Sequence, residues 1–448
     1  MIGKGVNALT AVQASMMEAS CDGGCPMNVL DMKRVEIVPP GRPLIGTVTV
    51  PGSKSITNRV LLIAGLAKGR SRLTGVLASD DTRHMATALR AMGVTIADID
   101  ATTLDVAGTG TLAQPAAPLF LGNAGTATRF LTAAVALVDG TVVVDGDDHM
   151  RKRPVRPLVD ALRQLGIAAT APTGCPPVTI HGTGRFTGDA TRIDAGLSSQ
   201  FVSALLMLAP FGARPVDITI DGSGDIDARG YIDLTLDVMT RFGARFAMLD
   251  DRTWRIEPTG YTAIDFAVEP DASAATYIWA AAALTRGKLD FATPMEHSSQ
   301  PDAKARAVIA QFPHLPDIID GSQMQDAVPT LAVMAAFNAT PVRFVGIANL
   351  RVKECDRIRA LSTGLNALSP GLAQEQGDDL HVAGGLTKVA TPPAVIDTWH
   401  DHRIAMGFAL AGLRMSGVVI DNPKCVSKTF PAYWSVLQGL GVALRPVA

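Results

Sequence analysis

Little in this chain stands out by abundance. Aromatic residues make up 5% and charged residues 18% of its 448 positions, and acidic and basic side chains nearly cancel, leaving a net charge of -2. A chain so close to neutral has no global field with which to hold a polyanion, so nucleic acid is not expected as a partner. If its ligands are anions, the basic residues must be gathered locally. The five cysteines are scattered as Cys21, Cys25, Cys175, Cys355 and Cys425. No second pair of ligands follows Cys21 and Cys25, so no metal is expected there, and a disulfide scaffold does not suit a chain this long. No apolar run is long enough to cross a membrane. The first 30 residues lack a charged head followed by an apolar stretch and a cleavage site. They carry Glu18 and Asp22 and no arginine before Arg34, which argues against a transit peptide. A cytoplasmic protein with a poorly ordered extension at 1–30 is therefore expected.

What is present is hydrophobic: 47% of the residues. That length and content imply two or more domains. Two kinds of helical segment recur. One is amphipathic and ends at a stopper: TALRAMG (ending at Gly93), LVDALRQLG (Gly166), LTLDVMTRFG (Gly243), ARAVIAQFP (Pro313), ALSTGLNALSPG (Gly371) and YWSVLQGLG (Gly441). The other is apolar nearly all round and so belongs inside a domain: 55–69, 125–140, 198–210, 271–287, 326–338 and 402–417. Short alternating runs between them, such as GTVTV, GTVVVDG, VDITIDG and GVVIDN, read as strands. The pattern is six units of roughly 55–75 residues, three on each side of about position 267. The fold class expected is α/β, in two similar lobes.

The apolar helices all have polar heads: SKS, GNAGT, SSQ, DAS, QDA and HDHR. A helix start carries free N–H groups and about half a positive charge, which makes it an anion site. Ordinary capping accounts for Ser, Asp and Asn in such places. It does not account for Lys54 and Arg59, or for His402 and Arg403.

Eight segments, in order, carry a resemblance: PGSKSITNR (51–59), LFLGNAGTATR (119–129), RKRP (151–154), SSQF (198–201), EPDASAA (269–275), NLRVKECDRI (349–358), DHRIAM (401–406) and PKCVSKTFP (423–431). They resemble the signature segments of the EPSP synthase family, from about residue 34 to the C-terminus. The resemblance implies a two-lobed inside-out α/β barrel, each lobe built from three βαβαββ units. It implies chain crossings near 52 and 268, so that 31–52 and 268–448 form one lobe, 53–267 the other, and the active site lies between them. It also implies transfer of the enolpyruvyl group of phosphoenolpyruvate to shikimate 3-phosphate, by a monomer needing no cofactor.

That reaction needs an acid, a base and cations for two phosphates and two carboxylates. By resemblance, Lys54, Ser55, Arg59, Ser198, Ser199, Gln200, Tyr231, Asp326, Asn349 and Lys353 would hold shikimate 3-phosphate. Lys54, Asn123, Gly125, Thr126, Arg129, Arg153, Gln200, Arg357, Arg403 and Lys428 would hold phosphoenolpyruvate. Arginine suits both because its fork matches carboxylate and phosphate oxygens. Asp326 resembles the group that handles the hydroxyl proton, and Glu354 the group that protonates the substrate carbon. Lys54 also reaches the reacting groups, and His402 would relay a proton or hold Glu354. Taken alone, the alternating charges of RVKECDR also read as a solvated helix face.

Two positions depart from the family pattern. A serine that lends its hydroxyl to the 3-phosphate is Ala228 here, with Arg229 beside it as the candidate to compensate. Phe130 replaces a proline behind the phosphoenolpyruvate pocket. Gly125 stands where a methyl group would project toward glyphosate, so a glyphosate-sensitive enzyme is expected. The alternatives are the relative that uses UDP-N-acetylglucosamine, and a catalytically silent paralogue that binds anions. The first typically carries Lys-Asn in the first head and a reactive loop cysteine, whereas this chain has Lys54-Ser55 and no cysteine within 76–174. A dinucleotide site is excluded at GTGRFTG (182–188), whose glycine spacing is wrong.

Overall fold

The computed structural model describes residues 28–223, 226–387 and 393–447. Most of the expected extension, through residue 27, lies outside the described residues, as do Cys21 and Cys25. In chain order the α-helices are α1 (Lys54–Leu66), α2 (Asp80–Ala91), α3 (Gly125–Ala134), α4 (Arg156–Gln164), α5 (Ser199–Leu208), α6 (Arg229–Arg241), α7 (Ala272–Thr285), α8 (Ala305–Ile309), α9 (Val328–Ala335), α10 (Arg357–Leu368), α11 (His402–Gly412) and α12 (Tyr433–Gly439). The apolar segments became α1, α3, α5, α7, α9 and α11, and most residues of each are buried. The amphipathic segments became the others. Gly93, Gly166, Gly243 and Gly441 follow their helices at φ +88, +78, +88 and +89, the left-handed turn that only glycine adopts without strain. One helix is shorter than its pattern. The segment ending at Pro313 is helical only over Ala305–Ile309, because the residue before a proline is pushed out of helical geometry and loosens the last turn.

Among the described residues the strands form six separate sheets, five of them four-stranded with a shared plan. In the sheet of 119–120, 139–145, 178–183 and 168–170, the first pair is parallel and the other two pairs are antiparallel. Strands such as Val216–Ile220 bury alternate residues, so each sheet shows one face to its helices and one to solvent. The helices therefore fill the interior and the sheets lie outside. One core draws on residues between Ile56 and Val268. The other draws on Val29–Val50 together with Ala272–Val442, and its outer sheet takes the N-terminal strand Arg34–Val38 between Val418–Asp421 and Ala443–Val447.

The chain passes between the two lobes at two adjacent places. Ser53 N–H donates to Glu269 C=O and Asp271 N–H to Pro51 C=O, both at 2.8 Å. Gly52 is required there: a Cβ would lie 1.8 Å from Gly75 O. Away from these crossings the lobes also touch. Ala228 N–H donates to Ser322 C=O at 2.8 Å, and Ser427 Oγ to Asp80 Oδ2 at 3.0 Å.

In the second lobe α10 and α11 approach closely at Gly364, where a Cβ would meet Phe408 ring atoms at 2.3 to 2.9 Å. The substitution Gly364→Ala is expected to destabilise the protein by about 1–3 kcal/mol through overpacking. Urea unfolding of the variant beside the parent checks it.

Candidate active site

The helix heads converge. Ser53 caps α1, accepting from Ile56 N–H, and this places Lys54 in the first turn. Lys54 Nζ lies 3.8 Å from the buried Asp81 at the head of α2. One turn further, Arg59 donates to Thr235 Oγ1 (2.8 Å), Ser55 O (2.8 Å) and Tyr231 O (3.0 Å), with Phe130 under its guanidinium at 5.2 Å. These hydrogen-bond partners are neutral, and burial lowers its pKa to about 10, which leaves it charged at neutral pH. At α5, Ser198 caps through Gln200 N–H. The Gln200 side chain donates to Thr126 Oγ1 and accepts from Arg129 Nη1, each at 3.2 Å. At α9 the carboxylate of the polar head makes no cap: the N-cap position is Ala327, so Asp326 is free for other work.

Lys54, Ser55, Arg59, Thr126, Ser198, Ser199, Gln200, Ala228, Tyr231, Gln325, Asp326 and Lys353 line one cavity between the lobes. Beside it lies a dense ionic cluster. Arg357, 1% exposed, donates to Asp401 (2.7 Å), Glu354 (2.8 Å) and Asp326 (3.0 Å). Arg403 donates to Asp326 Oδ2 at 2.7 Å. Lys428 Nζ reaches Glu354 Oε1 at 3.0 Å and Asn123 O at 2.8 Å, which joins the two lobes. Arg153, also from the first lobe, lies 3.9 Å from Glu354 and donates to Asn123 Oδ1 at 3.2 Å.

The electrostatics follow from burial set against these charges. Burial alone would raise the Glu354 carboxyl, but Lys428, Arg357, Arg153 and Lys54 together hold it well below the usual range. Asp326 behaves likewise: Arg403, Arg357, Lys353 and Lys54 overcome its burial and hold it low. Burial pushes Lys353 down to about 8 and Arg129 to about 9. Cations outnumber carboxylates here, although the whole chain is slightly acidic. Arg129 Nε, Arg153 Nε and Arg403 Nε make no hydrogen bond within the protein, so donors are left for an oxyanion. Among the described residues, no three His, Cys, Asp or Glu side chains are grouped to hold a metal.

This arrangement can bind two adjacent anions and present two carboxylates where they meet. The family model for EPSP synthase (3-phosphoshikimate 1-carboxyvinyltransferase) matches residues 38–437. The chain belongs to that family. A 3-phosphoshikimate 1-carboxyvinyltransferase from Rhizobium leguminosarum bv. trifolii is 67% identical over 413 residues, 92% of this chain and 98% of the relative. One from Pseudomonas syringae pv. syringae is 58% identical over 410 residues, 91% and 98% of the two chains. A solved EPSP synthase from Acinetobacter baumannii superposes with a TM-score of 0.74 at 24% identity, covering 92% of this chain and 99% of that one, and so supports the fold alone.

Within this family frame, several expectations change. Arg229 does not replace the missing hydroxyl at Ala228. Its guanidinium lies over the Trp254 ring at 5.0 Å and donates to Asp251 O at 2.7 Å. Stacking and a carbonyl hold it away because the backbone turns at Ala228, φ +53. Phe130 supports Arg59. The solvated-face reading of RVKECDR fails, since Glu354 and Arg357 side chains are 8% and 1% exposed. His402 is fully buried, neither ring nitrogen is hydrogen-bonded, and burial with Arg403 and Lys54 nearby lowers its pKa well below the usual value. It therefore does not hold Glu354. Asn349 is buried beside Leu350 with Oδ1 unpartnered, and is not among the residues lining the cavity.

Three residues escaped the sequence reading. Asp81 lies outside every segment quoted above. Gln325, which accepts from Lys353 Nζ at 3.3 Å, carried no charge to attract notice. Asp401 read as the cap of α11, which it is, but its carboxylate also clamps Arg357. Truncation by Asp401→Ala is expected to cost about 3–5 kcal/mol, since it strips a partner from a buried cation. The substitution Asp401→Asn keeps an acceptor and should cost less; thermal unfolding of the two variants measures the difference.

Proposed function

We propose that this chain transfers the enolpyruvyl group of phosphoenolpyruvate to the 5-hydroxyl of shikimate 3-phosphate and releases phosphate, by addition and then elimination. The observation that carries the reading is the pair Asp326 and Glu354, bridged by Arg357, where a hydroxyl-rich cavity meets a cation cluster. Ser198, Ser199, Ser55, Arg59 and Lys353 supply donors for the phosphorylated ring. Gln200 and Tyr231 pack beside it, and Asn349 lies behind. Arg129, Arg153, Arg357, Arg403 and Lys428 take the phosphate and carboxylate of phosphoenolpyruvate, against Asn123, Gly125 and Thr126. The site lies between 53–267 and the lobe formed by 31–52 with 268–448.

In the free protein both carboxyls are held ionised. Phosphoenolpyruvate changes that balance. Its negative charges draw on Arg357, Arg403 and Lys428, and each cation so engaged does less to hold the carboxyls low. Asp326 becomes a better base for the 5-hydroxyl proton. Glu354, beside the Lys428 ammonium, becomes able to carry the proton delivered to C3. Lys54 lies between the two anions, where charge develops. Neutral His402 fills space behind the cluster. The enzyme is taken to act in the cytoplasm as a monomer. No helix among the described residues is long and apolar enough to cross a membrane.

The reading is tested by phosphate release from both substrates with EDTA present: release that requires both supports it, and absence of both release and binding sinks it. Glu354→Gln and Asp326→Asn should each lower kcat by about 10²–10⁴-fold, the range for lost acid–base catalysis.

Lys353 gives a pH prediction. Its folded pKa of about 8 means that the ammonium is lost as pH rises through that value. The kcat/KM for shikimate 3-phosphate should therefore fall on the alkaline side near pH 8, and Lys353→Arg, which stays charged, should remove that limb.

A Cβ at Gly125 would lie 2.7 Å from Arg129 Nη1 and 2.8 Å from both Arg153 Nη atoms. With glycine there, glyphosate can use the same cations, and its inhibition constant should be near or below the phosphoenolpyruvate KM. Gly125→Ala should raise both constants, and an unmodified enzyme with an inhibition constant far above that KM would refute the sensitivity.

A further inference from the structure

At the mouth of the cleft two histidines meet, one from each lobe. His149 lies on the loop that leads to Arg153, and His400 on the loop that leads to Arg403. Their ring centroids are 5.5 Å apart with planes at 48°, and both residues are exposed. The backbone that carries each ring is held. Asp147 Oδ1 accepts from the backbone N–H groups of His149 (3.0 Å) and Met150 (2.9 Å), which fixes that turn. On the other side Asp397 Oδ1 accepts from Trp399 N–H at 2.7 Å, and Trp399 and His400 both sit at positive φ, +52 and +55. Such a conformation is uncommon outside glycine and persists only where its surroundings enforce it. Asn422 Nδ2 lies 3.0 Å from His400 Nδ1, leaving Nε2 as the free nitrogen.

Two exposed imidazoles gain little from touching each other. The geometry suits a shared ligand better. Two imidazoles on one tetrahedral ion, with metal–nitrogen bonds of about 2.0–2.1 Å, have ring centroids roughly 5 Å apart. We propose that His149 and His400 together bind one divalent transition-metal ion of the Zn²⁺, Ni²⁺ or Cu²⁺ class, and that this ion staples the lobes and slows turnover. Imidazole selects these ions over Mg²⁺ and Ca²⁺, which need oxygen ligands. Water completes the coordination. Turning the Asn422 amide over lets Oδ1 accept from Nδ1–H and frees the Nε2 lone pair, the usual outer support of a ligating histidine. Because the ligands come from different lobes, the ion binds only when the lobes meet. It therefore favours that arrangement by its differential affinity and opposes the opening that product release requires.

The test uses the full-length protein, freed of metal with EDTA and dialysed, then titrated calorimetrically with NiCl₂ or CuCl₂. The parent should bind one ion that excess Mg²⁺ does not displace. Losing even an outer partner costs 10–100-fold in metal affinity, so His149→Ala and His400→Ala should each weaken binding by ~100-fold or more. Both residues are exposed and outside the substrate site, so turnover without metal should match the parent. Unchanged affinity in either variant overturns the site, whatever the reaction proves to be. The staple rests on the proposed reaction: Ni²⁺ should slow phosphate release by the parent reversibly and leave both variants unaffected. A metal-loaded parent that turns over at full rate overturns that half.

Discussion

Arg357 is a guanidinium with almost no access to water, and the rest of the site depends on satisfying it. A buried charge costs several kcal/mol unless it is paired and hydrogen-bonded on every side. Asp401, Glu354 and Asp326 meet that demand, and each has a second task. Asp401 caps α11 and so orients Arg403 as well as Arg357. Asp326 is shared by both arginines. Glu354 turns toward Lys428 and, through it, toward the other lobe. One cation thus sets the positions of both carboxylates proposed to move protons.

The two lobes make such a cluster possible without making it permanent. Each lobe buries its own helices under its own sheets, so stability within a lobe does not rely on the cleft. The cleft can then hold charges that a single core would exclude. The crossings at 51–53 and 269–271 lie side by side, and polar links join the lobes elsewhere, among them Ser427 to Asp80, Lys428 to Asn123 and Tyr231 to Asp302.

Much of this was legible beforehand. The six apolar and six amphipathic helices followed from hydrophobic period and glycine stops, because burial on one face or all faces imposes those patterns locally. The polar helix heads pointed to candidate anion sites, and several of those heads line one cavity. Less legible was what each polar group touches. Asp81, Gln325 and Asp401 looked like ordinary polar residues of loops and caps, because their partners lie far away in sequence. Arg229 stood next to the missing hydroxyl in sequence and yet turns onto Trp254, because one left-handed residue redirects the chain. His402, read as a proton relay or a support for Glu354, is a buried ring whose nitrogens make no hydrogen bond within the protein.

By itself, then, the sequence determined the α/β repeat, the identity of the helices that are buried, and the family to which the chain belongs. These rest on local periodicity and short motifs, which need no knowledge of the rest of the chain. The tertiary structure alone decided which carboxylate pairs with which arginine, that Phe130 supports Arg59, and that His149 meets His400. Those contacts join residues from separate parts of the chain, and their energies depend on burial and distance, which exist only once the lobes have come together.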